Sequence, residues 1–429
     1  MGGVALRRRL PPPFHHRSYA LYWLAIVSTA LGGQMVVVAV GWQVYAIHRS
    51  ALDLGLIGLA EFIPLPLLAL PAGQLTDRVS RRLVLAVSLA LELVVLVLFI
   101  VVTLAGAHQL WPFLALAAFA GATSALGMPA GRALPAMLVP FELVPSAMTL
   151  RSIGFQGSIV AGPAIGGVIF AFSPVAVYAT ATALFVIGLA GVLALRVEEV
   201  APTSERVDMT TVFAGIRFIR ETPMILGAIS LDLFAVLFGG AAALLPLFAR
   251  SILHTGPIGL GILRSAPAVG ALLAGILLAR HPLHARVGRT LLAVVAAFGL
   301  ATIVFGFSHS IVLSCVALAV AGFVDMISIN IRSTTVALAT PNDLRGRVNA
   351  VEMVFVSASN ELGAFESGVA AALLGAVTAV VAGGVVTIGL AASWTTFFPA
   401  LARLDRYEDL QAGSLEAHAD RAHPPGSPA

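Results

Sequence analysis

The chain has 429 residues, of which 59% are hydrophobic and 11% are charged, whereas a soluble globular protein has about 25% charged residues. This composition excludes an ordinary soluble domain and indicates a protein embedded in a membrane. The formal net charge of +4 is too small for a nucleic-acid binder. All 25 basic residues are arginine, which excludes a Walker A phosphate loop and a Schiff-base lysine. The single Cys315 excludes a disulfide framework and a cysteine metal site.

Twelve apolar segments follow one another along the chain, and each reaches or approaches the ~20 residues that a helix needs to cross a bilayer. We therefore predict an all-α membrane protein with twelve transmembrane helices. The predicted spans are 20–46, 54–75, 83–105, 112–138, 146–172, 174–195, 224–249, 256–279, 290–308, 310–338, 348–374 and 377–399. The junctions at Ser173-Pro174 and Gly375-Ala376 are very short.

The chain outside the spans defines the predicted domains. They are an N-terminal arm (1–19), a six-helix half (20–195), a linker (196–222), a second six-helix half (223–400) and a largely disordered tail (401–429). In the linker, "TTVFAGIRFIRE" sets apolar against basic positions at helical spacing, which predicts an interfacial amphipathic helix or, alternatively, a solvated linker. The arginines outside the spans fall on the side of the two termini, except Arg49 and Arg250, so both termini are predicted to be cytoplasmic.

The two halves are parallel sequence repeats. "RVSRR" at 78–82 aligns with "RVGRT" at 286–290, and "LIGLAEFIP" at 56–64 aligns with "GLGILRSAP" at 259–267. Two parallel repeats of six spans are the architecture of a major facilitator transporter.

The loop after the second span resembles a signature of that superfamily, G-x-x-x-D-R-x-G-R-R. Its residues are Gly73, Asp77, Arg78, Arg81 and Arg82, and the chain departs from the signature at Ser80, where glycine is usual. The resemblance implies a gate on the cytoplasmic side, in which the acid is steadied by a facing helix end and by guanidinium groups. The alternative is an arginine cluster that only sets the topology. In the second half Ala285 and Thr290 replace the acid and the last arginine, so the lock is expected to be asymmetric.

The fifth span resembles a second pattern, g-x-x-x-G-P-x-x-G-G, that accompanies export in the superfamily. Its residues here are Ser158, Gly162, Pro163, Gly166 and Gly167, and ordinary small-residue packing is the alternative. The C-terminal half, with "PNDLRGRVNA" at 341–350 and "FPALARLDR" at 398–406, is similar to the branch that contains the enterobactin exporter and macrolide-efflux-like proteins.

Charged residues inside the spans are costly and are the candidates for the mechanism. In this superfamily spans 1, 4, 7 and 10 line the central cavity, so the resemblance favours Asp232 and Asp325 as functional. We predict that Arg332, seven residues after Asp325 on one helix face, keeps Asp325 ionised. No basic residue lies near Asp232 on its own helix, so Asp232 is the first candidate for proton coupling and Glu61 the second.

The remaining intramembrane residues receive weaker assignments. Glu61 and Arg264 occupy equivalent repeat positions, and we predict that they interact directly or through Glu361, or that each faces a different helix. Snorkelling or pairing between the halves is expected for Arg132, Arg151, Arg332 and Glu352, and a structural role for Glu92. The candidates for contact with the cavity or substrate are Gln34, Arg264, Asn330, Arg332 and Glu361.

These observations predict a proton-coupled exporter of a small organic molecule, such as a siderophore, a drug or a lipophilic metabolite, in a bacterial cytoplasmic membrane. An importer of the same architecture and a non-transporting receptor or scaffold are the alternatives. The partners are substrate, protons and membrane lipids, and the protein is expected to be monomeric. No enzyme activity, cofactor or metal is expected; His281 and His284 lack accompanying carboxylate or cysteine ligands.

Overall fold

The computed structural model describes residues 11–197, 209–283, 285–341 and 344–410, and every regular element in these residues is helical. Eleven segments of the described chain are long and apolar enough to cross a membrane. The predicted eleventh span, which forms the 30-residue helix Arg345–Leu374, is long enough but carries Glu352, Glu361 and Glu366. With it, the described chain provides the twelve long helical segments that the sequence predicts.

The first of two compact units comprises Met1–Arg206 and Ala242–Ala268, so it includes a segment of the second sequence repeat. The core lies around α1, where Tyr19, Tyr22 and Met35 are fully buried. The helices of this unit are α1 (Arg17–His48), α2 (Ala51–Phe62), α3 (Pro64–Arg78), α4 (Arg81–Leu104), α5 (Trp111–Ala133), α6 (Val144–Phe172) and α7 (Pro174–Leu193).

The second unit comprises Val207–Ala241 and Val269–Ala429. Its helices α11 (Val287–Phe307) and α14 (Ala376–Phe397) approach backbone to backbone: a Cβ atom on Gly299 or on Gly384 would lie 2.6 Å from the carbonyl oxygen of the other. The remaining helices are α8 (Met209–Glu221), α9 (Pro223–Gly239), α10 (Gly256–Arg280, whose first half belongs to the other unit), α11 (Val287–Phe307), α12 (Ile311–Ala339), α13 (Arg345–Leu374), α14 (Ala376–Phe397) and α15 (Pro399–Arg403).

Two predicted spans are interrupted rather than continuous. The second is divided at Ile63, between α2 and α3, because Pro64 supplies no backbone N–H. The seventh ends as an α-helix at Gly239 and continues through short turns to the π-helical turn Phe248–Ile252. The two tight junctions are confirmed: the Ser173 hydroxyl caps α7 by accepting from Ala176 N, and Gly375 turns the chain at a φ of 84°.

Helix α8 of the linker and the start of the tail both pack against other helices of the second unit, to which they belong. Helix α8 forms within the predicted linker. Its Ile219 is only 4% exposed and belongs to a buried apolar cluster with Val336 and Val348. That part of its apolar face therefore contacts protein. In the predicted tail, Leu404 is buried, and the backbone N–H of Val287 donates to Asp405 O at 3.2 Å. The tail is thus packed over 401–410, and its predicted disorder from 411 onward falls outside the described residues.

Candidate functional site

A buried ion pair joins α9 to α12 within the second unit. Arg332 Nη1 lies 2.6 Å from Asp232 Oδ2, and the two side chains are only 6% and 8% exposed. Arg332 Nε also donates to Ser328 Oγ at 3.3 Å, one turn earlier on α12. This geometry corrects two expectations: Arg332 contacts Asp232 rather than being reserved for Asp325, and it pairs within the C-terminal half rather than snorkelling or reaching the other half.

Two further carboxyl groups surround this pair. Asp325 on α12 and Glu352 on α13 both lie close enough to interact electrostatically with Asp232 and Arg332. One guanidinium therefore faces three carboxyl groups. Since a buried charge without a counter-charge is costly, this ratio favours the presence of at least one proton on the carboxyl groups.

A small cavity opens beside the pair. Asp232, Asp325 and Ser328 supply its polar lining, and Phe298 of α11 closes it with other apolar side chains. Phe298 belongs to the ninth span, which forms α11 and is not among the spans 1, 4, 7 and 10 that the family resemblance implies as cavity-lining. The carboxyl groups of Asp232 and Asp325 thus line the same small cavity.

Two other sequence candidates, Asn330 and Glu361, lie in the second unit. Asn330 is partly buried two residues before Arg332, and residues at that spacing point to different sides of a helix. Glu361 is partly buried on α13 and takes part in a polar or electrostatic contact. The sequence therefore pointed to Asp232, Asp325 and Arg332, but it gave neither the way they pair nor the place of Glu352 beside them.

Glu61 and Arg264 interact within the first unit. The Arg264 guanidinium is close enough to stabilise the Glu61 carboxylate electrostatically, and both residues belong to that unit. Helix α2 is held closely against α5 at this point: a Cβ atom on Gly121 would lie 2.0 Å from the backbone oxygen of Glu61. Glu61 and Arg264 are therefore near enough to influence each other's charge, and a direct contact between them stays a prediction.

The export-type pattern of α6 packs against α1 on one side. Gly162 gives room to Gln34, because a Cβ atom on Gly162 would lie 2.5 Å from the Gln34 Cβ. A Cβ atom on Gly166 would lie 2.9 Å from the Met35 Cα. The Ser158 hydroxyl, at the position where the pattern has glycine, lies 3.1 Å from Val27 O as a donor. Gln34 thus serves as a packing partner of α6 in this structure.

On its other side, the same pattern crosses α10 with no side chain between the backbones. A Cβ atom on Gly261 would lie 2.4 Å from Pro163 O, and one on Gly167 would lie 2.5 Å from Pro257 O. Both helices belong to the first unit here, although α10 is part of the second sequence repeat. The small residues therefore form a tight contact between the two repeats.

The arginines of the loop signature contact neighbouring elements of the first unit. Arg81 Nη1 donates to Met137 Sδ at 3.2 Å, and Arg82 donates to Leu193 O. A Cβ atom on Gly73 would meet nothing within 4 Å, and Arg78 is exposed. The side chain of Asp77 falls outside what the structure describes, so the lock remains a prediction.

Two polar contacts of the first unit were not anticipated. Arg151 Nε donates to Tyr22 OH at 2.9 Å, and that hydroxyl donates to Gly131 O at 2.6 Å, which ties α6 to α1 and α5. The Thr123 hydroxyl contacts the Glu92 carboxyl across α4 and α5. The signal available in the sequence was polar residues inside apolar segments, but it does not say which of them meet.

Comparisons with known proteins agree with this architecture. The chain is 26% identical over 361 residues to the multidrug efflux pump Tap of Mycolicibacterium fortuitum, covering 81% of this chain and 88% of that relative. It is 25% identical over 371 residues to the enterobactin exporter EntS of Citrobacter koseri, covering 86% and 88%. A bacterial homologue of the human lysosomal transporter Spinster, in an inward-facing and occupied conformation, has the same fold, with a TM-score of 0.70 at 15% identity over 90% of this chain and 97% of that one.

The D-xylose-proton symporter also shares the fold, with a TM-score of 0.69 at 12% identity over 89% of this chain and 98% of that one. The sequence model of the family described as "Transmembrane secretion effector" matches residues 11–420, which is nearly the whole chain. The chain therefore belongs to the transmembrane secretion effector family of major facilitator transporters, and it is a transporter and not an enzyme.

Proposed function

We propose that this transporter exports a small organic molecule across a bacterial cytoplasmic membrane in exchange for protons. The observation that carries the direction of transport is the crossing of α6 and α10, which the export-type pattern forms with backbone atoms alone. The relatives named for drug efflux and enterobactin export support the same direction. A siderophore, a drug and a lipophilic metabolite are the substrate classes that fit them.

Alternating access requires the α6–α10 contact to separate and re-form in each cycle. A contact built from glycine and proline backbones suits this task, since it has no interlocked side chains to disengage. The arginine-rich loop signature would do the corresponding work at the other end of the protein, where Asp77 is steadied by a helix end and by guanidinium groups. The distribution of the arginines supports a cytoplasmic location for both termini.

The coupling proton resides on the carboxyl groups around Arg332. In the described state the guanidinium holds Asp232 at 2.6 Å, and Asp325 shares the adjacent cavity. Since the close ion pair of Arg332 among the described residues is with Asp232, Asp325 lacks a comparable counter-charge and is the carboxyl group that takes the proton. This assignment places the proton on Asp325 when Asp232 is paired, the reverse of the preference drawn from sequence alone.

The experiment separates coupling from binding. Purified protein in proteoliposomes is supplied with enterobactin, erythromycin and ethidium, with and without an imposed pH difference. Asp232→Asn and Asp325→Asn should each abolish gradient-driven accumulation while leaving substrate counterflow intact. Glu221→Gln, at a carboxyl that is 61% exposed, serves as the control and should behave as the unmodified protein. Concentrative transport by both aspartate variants would exclude this cluster as the coupling site.

A further inference from the structure

Glu92 is a carboxyl group in the middle of a membrane span that the proposed mechanism does not use. It is the twelfth of the 24 residues of α4, and its carboxyl contacts the hydroxyl of Thr123 on α5. Its place in the third span predicts only a structural role. A carboxyl at this depth is costly when ionised, so its protonation state matters for the energy of the protein.

The Thr123 hydroxyl faces two acceptors but has one proton to donate. Its Oγ1 lies 2.8 Å from Ala120 O on its own helix, and it also contacts Glu92 Oε2. The residue is 1% exposed, so water does not supply a second partner at its surface. The arrangement is fixed in place by Ser88, whose hydroxyl donates to Thr123 O at 2.8 Å and joins α4 to α5.

Counting donors gives two complete arrangements. When Glu92 is protonated, its O–H donates to Thr123 Oγ1, and the Thr123 hydroxyl donates to Ala120 O. When Glu92 is ionised, the Thr123 hydroxyl turns and donates to the carboxylate, while Ala120 O keeps its place as a helix carbonyl. A rotation of the buried Thr123 hydroxyl therefore satisfies both protonation states of Glu92. In each state every donor of the contact has an acceptor, so the hydrogen bonds alone do not select one state.

The titratable and charged groups around Glu92 are few. Glu61 on α2 lies close enough to repel a charge on Glu92, and Arg264 in turn attracts Glu61. Tyr178 on α7, stacked on Phe99 of α4, donates its hydroxyl to Gln43 instead.

The arginines at the ends of these helices are remote from Glu92. The start of α4 carries Arg81 and Arg82, on the order of 15 Å from Glu92 along the helix. Arg78 lies further away, at the end of α3. Arg132 is nine residues beyond Thr123 on α5, at a comparable distance. The charge on Glu92 is therefore set first by its burial, and then by the Thr123 hydroxyl and by Glu61.

We infer that Glu92 and Thr123 form a protonation site within the first unit, separate from the Asp232–Asp325 cluster of the second unit, where the carboxyl takes up and releases one proton as the Thr123 hydroxyl changes partner. No covalent bond other than O–H is made or broken, and the proton passes between water and the Glu92 carboxyl, since the Glu92 side chain, unlike that of Thr123, is partly exposed. Within the proposed antiport, on which this last step rests, the site provides a second exchangeable proton. A movement of Glu61 or Arg264 during transport would change the charge that faces Glu92 and so load or unload it.

Infrared difference spectroscopy tests the site without any transport measurement. The intact protein in nanodiscs is titrated between acidic and alkaline pH, and the carbonyl-stretch band of protonated carboxyl groups is followed. We expect one component of this band to disappear as pH rises and to be missing at all pH values in Glu92→Gln. Thr123→Val, which keeps the acid but removes the hydroxyl, should shift the frequency of that component, and Thr123→Ser should restore it.

The possible outcomes separate this inference from the proposed function. A Glu92 component that is present at every pH marks a permanently protonated structural acid, and its absence at every pH marks a permanent carboxylate; either result overturns the inference. A titrating component that Thr123→Val leaves unshifted overturns the role of the hydroxyl. If Glu92→Gln does not fold, the Thr123 pair still decides the matter. Failure of antiport in proteoliposomes would leave the infrared result unchanged, so the two failures are distinguishable.

Discussion

Removing the arginine of the buried ion pair should cost much of the stability of the second unit. Arg332→Met keeps an unbranched apolar stem but leaves Asp232 without its counter-charge, at side-chain exposures of 6% and 8% in the native pair. Breaking a buried pair by removing one partner costs about 3–5 kcal/mol, because the remaining charge is uncompensated. Asp325 and Glu352 also lose the only guanidinium described near them, which adds to the cost.

The assay is the free energy of unfolding in mixed micelles, measured by titration with a denaturing detergent. The matched control is Arg217→Met, since Arg217 Nε also forms a close pair, at 2.7 Å from Glu221 Oε1, but its side chain is 80% exposed. The control should show no measurable loss. The double variant Asp232→Leu with Arg332→Met should recover much of the stability while remaining inactive in coupled transport. A loss in Arg332→Met no larger than in the control, or no recovery in the double variant, would refute the reasoning.

Three further predictions concern the first unit. Gly261→Ala should lower the free energy of unfolding by about 1–3 kcal/mol because its Cβ would meet Pro163 O at 2.4 Å, whereas Gly157→Ala, with nothing within 4 Å, should be nearly neutral in the same detergent titration. Glu61→Arg and Arg264→Glu should each reduce expression or transport, and the charge-swapped pair should recover part of it; no recovery would show that the two act separately. Asp77→Asn should insert normally but lose most transport, as measured by substrate efflux from cells, and near-normal efflux would contradict the gate.

The succession of spans was predictable because it depends on local properties. A long apolar run predicts a helix wherever it occurs, so α11 and α12 end close to the predicted limits. The interruption at Ile63 was also encoded, in Pro64, but a hydropathy count does not register a missing N–H. The burial of Leu404 in the predicted tail could not be anticipated for a similar reason: composition describes a segment but not the surface that the segment contacts.

The pairing of the buried charges could not be predicted in the same way. Asp325 and Arg332 share one helix, so their relation is visible at a spacing of seven residues, whereas Asp232 reaches Arg332 from a helix 100 positions away in the sequence. The packing of α9 against α12 determines whether Arg332 forms its close ion pair with Asp232 or with Asp325. Glu61 and Arg264 were an exception, because the internal repeat supplied the long-range relation that a single sequence usually lacks.

Everted membrane vesicles test the central claim, proton-coupled export, most directly. Vesicles from cells with and without the protein are energised so that their lumen becomes acidic, and the uptake of enterobactin, erythromycin and ethidium is followed. Our account predicts that at least one of the three accumulates in the lumen only when the protein is present. It also predicts that nigericin, which collapses the pH difference, abolishes this accumulation. Transport in the opposite direction, accumulation that survives nigericin, or no protein-dependent movement of any of the three would contradict the account.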